Sequence, residues 1–235
     1  MTSPAVYYRS GRAEHLCWAT GADVEERRGT AERVGEVVAT TIAEFEAQSD
    51  QLHVSPPLGA LVRVRGESGR VIYGVVAGAR TDGVDSSVRP VPRGRDGCED
   101  ADVYRDNPDL AYVLRTCFQC LVVGYAEQDV IFQHLPAGPA PIHFSVLACA
   151  PEEVERFSRQ LSHFRIILGA HNLPIEDVLA AHVRFLAAVR HDPLVARESP
   201  PAFCIRAGRE VATLLRGDHQ RATTILQCIR PALTP

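Results

Sequence analysis

From Val34 to Asp82, apolar and polar residues alternate in short runs separated by turn residues. Val37, Ala39, Ala43, Phe45 and Ala47 share one parity, and Glu36, Thr40, Glu44 and Glu46 share the other. Ala60, Val62 and Val64 oppose Arg63 and Arg65 in the same way. A period of two sends successive side chains to opposite faces, so these runs predict strands with one face buried. Pro56-Pro57-Leu58-Gly59 and Gly66-Glu67-Ser68-Gly69 supply turns, since proline presets φ and glycine accepts positive φ. Further strands are predicted at Cys117–Tyr125, Val130–Leu135 and Ile142–Cys149, with connections short enough for antiparallel pairing.

At Pro151 the period becomes helical. Val154, Phe157, Leu161, Phe164 and Leu168 fall on one face, with Glu152 and Glu153 in the first turn and Gly169 after the last. A second helix is predicted from Pro174 to Arg190, with Ile175, Val178, His182, Phe185 and Val189 on its apolar stripe. A third covers Ile205–Arg216 and a fourth Asp218–Arg230, separated by Gly217 and stopped by Pro231. Strands first and helices second is the order of an α+β protein rather than of alternating βαβ units. The predicted architecture is a small antiparallel β-barrel, an αβ extension and a C-terminal helical bundle.

The connecting segments divide the chain further. Residues 1–31 carry no sustained period and are read as a disordered or loosely docked leader, or as residues upstream of the true start. Residues 32–96 form the barrel, ending in the extended run Arg89-Pro90-Val91-Pro92-Arg93-Gly94-Arg95-Asp96. Residues 97–150 hold a helical turn at Glu99–Tyr104, an N-cap and proline at Asn107-Pro108 opening a second turn to Leu114, and the later strands. Residues 151–235 are the helical domain.

Composition narrows the function classes. No apolar run approaches the ~20 residues that cross a bilayer, and no secretory signal pattern opens the chain, so a cytoplasmic location is expected. The net charge is −4 over 235 residues, which gives no strong overall attraction to nucleic acid or anionic membrane. All 25 basic residues are arginine, which excludes a P-loop lysine, a Schiff-base lysine and a lysine general base. Cysteines at 17, 98, 117, 120, 149, 204 and 228 are too sparse for a disulfide scaffold and fit free thiols.

Several short runs resemble the HAS-barrel family, named from HerA helicases and ATP synthases. They are Gly35-Glu36-Val37-Val38 with Glu44-Phe45 at the opening of the barrel, Pro57-Leu58-Gly59-Ala60-Leu61-Val62 at its second strand, and Tyr73-Gly74-Val75-Val76 at its third. The chain is also similar to stand-alone bacterial HAS-barrel proteins at Arg89-Pro90, Tyr104-Arg105-Asp106-Asn107-Pro108, Arg115-Thr116, Ile142-His143 and Arg206-Ala207-Gly208-Arg209-Glu210. The resemblance spans roughly residues 33 to 230 and implies a six-stranded barrel at the N-terminus. In HerA and ATP synthase subunits a P-loop ATPase domain follows the barrel, and here it is absent. The family then implies an accessory role in assembly or partner docking rather than a motor.

The candidate chemistry is thin. Cys117-Phe118-Gln119-Cys120 is a CxxC, but residues i and i+3 of a strand point to opposite faces, so core filling is the expected role. His134 and His143 flank a proline-rich loop and face each other if that loop closes a hairpin, yet a closed metal site needs about four ligands. They are read as hydrogen-bonded structural histidines, and no metal or cofactor is expected. Arg89, Arg93 and Arg95 form a loop able to grip phosphate by bidentate hydrogen bonds, with the acidic residues from Asp96 to Asp102 positioned to neutralise it. Arg206, Arg209 and Glu210 open the third helix, where an arginine paired with Glu210 would pin that helix to the barrel extension. Glu152-Glu153 is explained by the helix dipole. No Gly-x-Ser-x-Gly elbow or other nucleophile–base set is legible.

The expectation is a non-enzymatic protein-interaction or assembly module, an adaptor to a P-loop ATPase, translocase or nuclease, with self-association as a further expectation. Its interaction residues are Arg89, Arg93, Arg95, Tyr104, Arg105, Asn107, His143, Arg206, Arg209 and Glu210. The alternative is nucleic-acid binding through the arginine loop together with Arg216, Arg221 and Arg230. An enzyme assembled from distant residues is the third reading, favoured by converging His, Asp and Arg side chains and disfavoured by a filled barrel interior.

Overall fold

The structure is a computed structural model that describes residues 32–66, 69–85, 91–93 and 100–229. They belong to one compact unit, Ala31–Pro235. The expected leader and the loop arginines Arg89 and Arg95 lie outside the described residues.

The protein is α+β, with a seven-stranded, wholly antiparallel sheet and helices packed on one of its faces. The strands are β1 (Arg33–Thr40), β2 (Glu44–Ser49), β3 (Leu61–Arg65), β4 (Val71–Gly83), β5 (Leu114–Glu127), β6 (Val130–Phe132) and β7 (Ser145–Ala148). Their order is β2-β1-β7-β3-β4-β5-β6, and β5 also pairs with β2. β5 is therefore hydrogen-bonded along both edges, to β4 through Cys117↔Arg80 and to β2 through Cys117↔Gln48. The runs expected as the second and third strands are β3 and β4, because β1 and β2 are separate strands joined by a tight turn. β7, from far along the chain, inserts between β1 and β3.

Alternation assigns the two faces. Val37, Phe45, Ala47, Val62, Val64, Ile72, Val76, Phe118, Cys120, Val122 and Val146 point into one enclosed core. Ala39 and Ala43, of the same predicted parity as Phe45, are exposed where β1 turns into β2. Gly74 lies inside this core, where a Cβ would stand 2.8 Å from the Phe45 ring. Its lack of a side chain is what admits the ring. Two bulges accommodate the bend of the long strands. The β4–β5 register slips once between Tyr73 and Gly74 and again between Val76 and Gly78, and each extra residue reverses the facing of those beyond it.

The other face is covered by helices. α1 (Asp100–Asp106) and α2 (Leu110–Val113) fill the connection from β4 to β5. α3 (Pro151–Phe157), α4 (Phe164–Leu168), α5 (Ile175–Ala188), α6 (Pro200–Leu214) and α7 (His219–Ile229) follow the last strand. Leu61, Tyr73, Val75, Leu121 and Val123 of the sheet share one core with Phe157, Phe164, Ile167, Leu179, Leu186, Phe203 and Ile225 of the helices. α5 is the axis of this layer, touching β4, α4, α6 and α7, and it is apolar on most of its circumference as a buried helix should be.

The single helix expected from Pro151 to Leu168 is interrupted after Phe157. Ser158 turns its hydroxyl back onto the Val154 and Glu155 carbonyls (2.7 and 3.3 Å), a local bond that competes with helix continuation. Side chains from elsewhere then take the freed backbone groups. Gln133 Nε2 donates to the Phe157 and Gln160 carbonyls (2.8 and 2.9 Å), and its Oε1 accepts from the His163 N–H (3.2 Å). Arg206 donates to the carbonyls of Ser158 and Arg159. Other boundaries move less. α6 starts at Pro200, before the expected Ile205, because Ser199 caps it and Pro200 suits its first position. Asn107 caps nothing downstream: Asp109 holds the N-cap of α2, and Asn107 Nδ2 instead donates to Val103 O of α1.

Candidate functional site

Among the described residues, those singled out from sequence do not converge on one site. Arg93 donates to Asn107 Oδ1 (3.0 Å) and pairs with Asp109 (3.0 Å), so this loop guanidinium has its partners within the chain. Arg105 pairs with Asp102 and Asp106 on its own helix. Tyr104 reaches across to His53, its hydroxyl 2.6 Å from Nε2. His143, in the left-handed region at φ 67°, holds Glu36 at 2.9 Å. That hydrogen bond is the main reason Glu36 sits below the usual carboxylate range. His134 packs instead against Tyr125 and Phe132, so the two histidines flanking the proline-rich loop do not form a pair. Among the described residues no three His, Cys, Asp or Glu side chains are grouped to hold a metal.

Arg206 does anchor its helix, but through Glu198 and the end of α3 rather than through Glu210. Arg209 is exposed and Glu210 half-buried, and neither joins that network. Arg209 and Glu210 lie one turn further along the same flank of α6, but the Arg206 guanidinium is already taken by Glu198 and by the Ser158 and Arg159 carbonyls. Arg221, one of the arginines of the nucleic-acid reading, pairs with Glu176 at 2.6 Å. Cys117 and Cys120 are buried, with Cys120 in the enclosed core. Burial raises both thiols above their ordinary range, the opposite of what a nucleophile or metal thiolate requires.

The polar groups that do converge lie at the seam between sheet and helices. Glu153, which with Glu152 carries the dipole-favoured first turn of α3, is buried and accepts from Arg63 of β3 (2.9 and 2.8 Å) and from the Tyr73 hydroxyl of β4 (2.9 Å). Burial, with the adjacent Glu153 charge, pushes the Tyr73 phenol upward, so it stays a proton donor. Cys149 is raised by burial and then by the same carboxylate. Deeper still, His182 of α5 sits 2.7 Å from the Gly59 carbonyl through Nδ1 and 3.0 Å from His163 through Nε2. A carbonyl only accepts, so His182 carries its proton on Nδ1 and presents a lone pair at Nε2. His163 must then donate from Nε2, which leaves its own Nδ1 as a lone pair without a partner. Burial lowers both imidazoles, His182 to about 4.

A third group ties α6 down. Arg190 is 3% exposed; it donates to Leu186 O (2.6 Å) and Ser158 Oγ (2.9 Å) and lies 3.8 Å from the centroid of the Phe203 ring. Arg206 faces the same ring at 5.2 Å, and Glu198 bridges the two guanidiniums. The Arg206 hydrogen bond, above all, holds Glu198 below its usual range. These are charge-assisted bonds between elements, not an activated nucleophile beside a base.

Apolar side chains collect on the surface at the end of the sheet where β4 leaves and β5 begins. Val84 donates its N–H to Val113 O (2.9 Å), and both side chains are exposed. Tyr112 next to them is 84% exposed. Tyr104 and Val54 are exposed beside His53, whose N–H is bound to Thr116 at the start of β5. Of this cluster the sequence reading named Tyr104 alone.

No known family's sequence profile matches the chain, and no curated protein matches it.

Proposed function

We propose that this chain is a non-catalytic protein-interaction module that docks a partner through the apolar cluster at the β4–β5 end. The observation that carries the reading is the exposure there of Val54, Val84, Tyr104, Tyr112 and Val113 on one end of the sheet. Gathered apolar surface of this kind marks contact sites, whereas scattered single residues do not. The interior supports the same reading. Phe45, Phe118, Val37 and their neighbours pack as apolar core between the strands, and burial raises the Cys117, Cys120, Cys149 and Cys204 thiols rather than activating them.

The sheet is a small closed barrel in this reading, supported by β5 bonding to both β4 and β2. With the helices as a C-terminal bundle, it is the accessory architecture of a HAS-barrel protein, acting as an adaptor or assembly factor for a cytoplasmic P-loop ATPase or nuclease. No helix among the described residues is long and apolar enough to cross a membrane.

The test is quantitative affinity capture from the native host, with wild type compared against Tyr112→Arg/Val113→Asp. One protein recovered in near-equal amount with wild type and at least tenfold less with the variant supports the reading. Recovery of the bait alone, or of a partner equally with both baits, overturns it. Salt-sensitive recovery of nucleic acid overturns it in favour of the arginine-based alternative.

A further inference from the structure

Among the described residues, the His163–His182 pair is the buried titratable cluster at the seam that has no charged member. His182 stands on α5 where Gly59 touches it most closely. A Cβ on Gly59 would lie 2.3 Å from the His182 nitrogen and 2.4 Å from the Ala181 carbonyl carbon. This contact is where α5 meets the turn that leads into β3. His163 is the N-cap of α4. The chain Gly59 carbonyl, His182, His163 therefore joins a turn of the sheet to two helices by hydrogen bonds alone.

Neither imidazole has a place for a second proton. Protonation of His182 at Nε2 would set two donors against each other across 3.0 Å. Protonation of His163 at Nδ1 would bury an N–H at an atom that has no acceptor. The surrounding groups offer no counter-charge. Phe157 and Phe164 pack on the His163 ring, and Gln133 presents a neutral amide to its backbone. Of the ionised groups on the packed elements, Glu153 is held by Arg63 and Tyr73, Glu155 by Arg159, and Glu176 by Arg221. Arg156, Arg165, Asp177 and Arg184 are on exposed faces. Arg190 is turned to Ser158 and Glu198.

We infer that the His163–His182 pair is an acid-sensitive joint: uptake of a solvent proton by either imidazole separates α4 and α5 from the Gly59 turn and loosens the helical layer from the sheet. The sign follows from linkage. The closed form binds the proton poorly and the open form binds it as free histidine, so closure is complete above the free-histidine pKa, about 6.5, and is progressively lost below it. At pH 5.0 the open population rises by about 30-fold for one histidine freed to its ordinary affinity. This device stands whether or not the chain is an interaction module.

Hydrogen exchange of the full chain at pH 7.5 and 5.0, corrected for the intrinsic exchange rate, reads the opening directly. The expected result is a roughly 30-fold or greater loss of protection in Phe164–Leu168, Ile175–Ala188 and around Gly59, with β1, β2 and the β4–β5 ladder retained. His163→Phe/His182→Asn, in which the asparagine keeps a donor towards Gly59, should abolish that dependence. Unchanged helix protection at pH 5.0, or equal loss throughout the sheet, overturns the inference. If the double variant does not fold, nitrogen-15 spectra of histidine-labelled wild type decide. Two neutral rings of opposite tautomer persisting below pH 6 support the joint, and a ring that titrates near 6.5 within the intact fold refutes it.

Discussion

Gln133→Met isolates the side chain that holds the break between α3 and α4. Methionine keeps the length and approximate volume of glutamine, so packing changes little. What is lost is three hydrogen bonds, to Phe157 O (2.8 Å), to Gln160 O (2.9 Å) and from His163 N–H (3.2 Å). Phe157 and His163 are buried, so two backbone groups are orphaned away from water, while Gln160 is exposed and can be rehydrated. A buried group left unpaired costs about 1–3 kcal/mol and a replaceable bond about 0.5. The sum over two orphaned groups and one replaceable bond is about 2.5–6.5 kcal/mol, or at least roughly 5–10 °C in melting temperature for a domain of this size. Urea unfolding with linear extrapolation measures it. The control is Gln119→Met, which removes one half-exposed bond to Glu44 (2.7 Å) and should cost less than about 1 kcal/mol. A Gln133 variant no less stable than the Gln119 variant refutes the idea that Gln133 holds the break between α3 and α4.

Gly59→Ala should destabilise more than Gly69→Ala, although both glycines have positive φ, +81° and +77°. A Cβ at Gly69 meets nothing within 4 Å, so that change costs only the left-handed penalty of about 1–2 kcal/mol. At Gly59 the Cβ collides with α5 and breaks the His182 bond as well, giving about 3 kcal/mol or more by thermal denaturation; equal melting temperatures for the two would sink this account. Glu153→Ala leaves Arg63 and the Tyr73 hydroxyl unpaired in a buried site and should cost about 3–5 kcal/mol. Arg63→Met/Glu153→Leu removes both charges and should recover most of that loss by urea unfolding; a double variant as unstable as the single would show that the ion pair itself, not the unpaired charge, carries the energy.

Sequence pattern alone determined the α+β order, the antiparallel pairing, the parity of Val62, Val64, Phe45 and Ala47, and the apolar stripe of α5 with His182 on it. These are local consequences of side-chain period, since burying one face of a strand or helix requires the pattern wherever the element packs. The same pattern could not place the seam. Gln133 reads as one polar residue in a strand, Glu153 as a helix-dipole carboxylate, His163 as a residue inside a long helix, and Arg190 as the end of another. Each takes its partner from a distant element: Gln133 from the Phe157–His163 segment, Glu153 from Arg63 and Tyr73, His163 from His182, and Arg190 from Ser158 and Glu198. A hydrogen bond is specified by two groups arriving within about 3 Å at the right angle, and periodicity says only which face a group is on. Which faces meet, and therefore where the helix breaks, which carboxylate is buried and which imidazoles stay neutral, was decided by how β7 inserts between β1 and β3 and how α5 settles on Gly59.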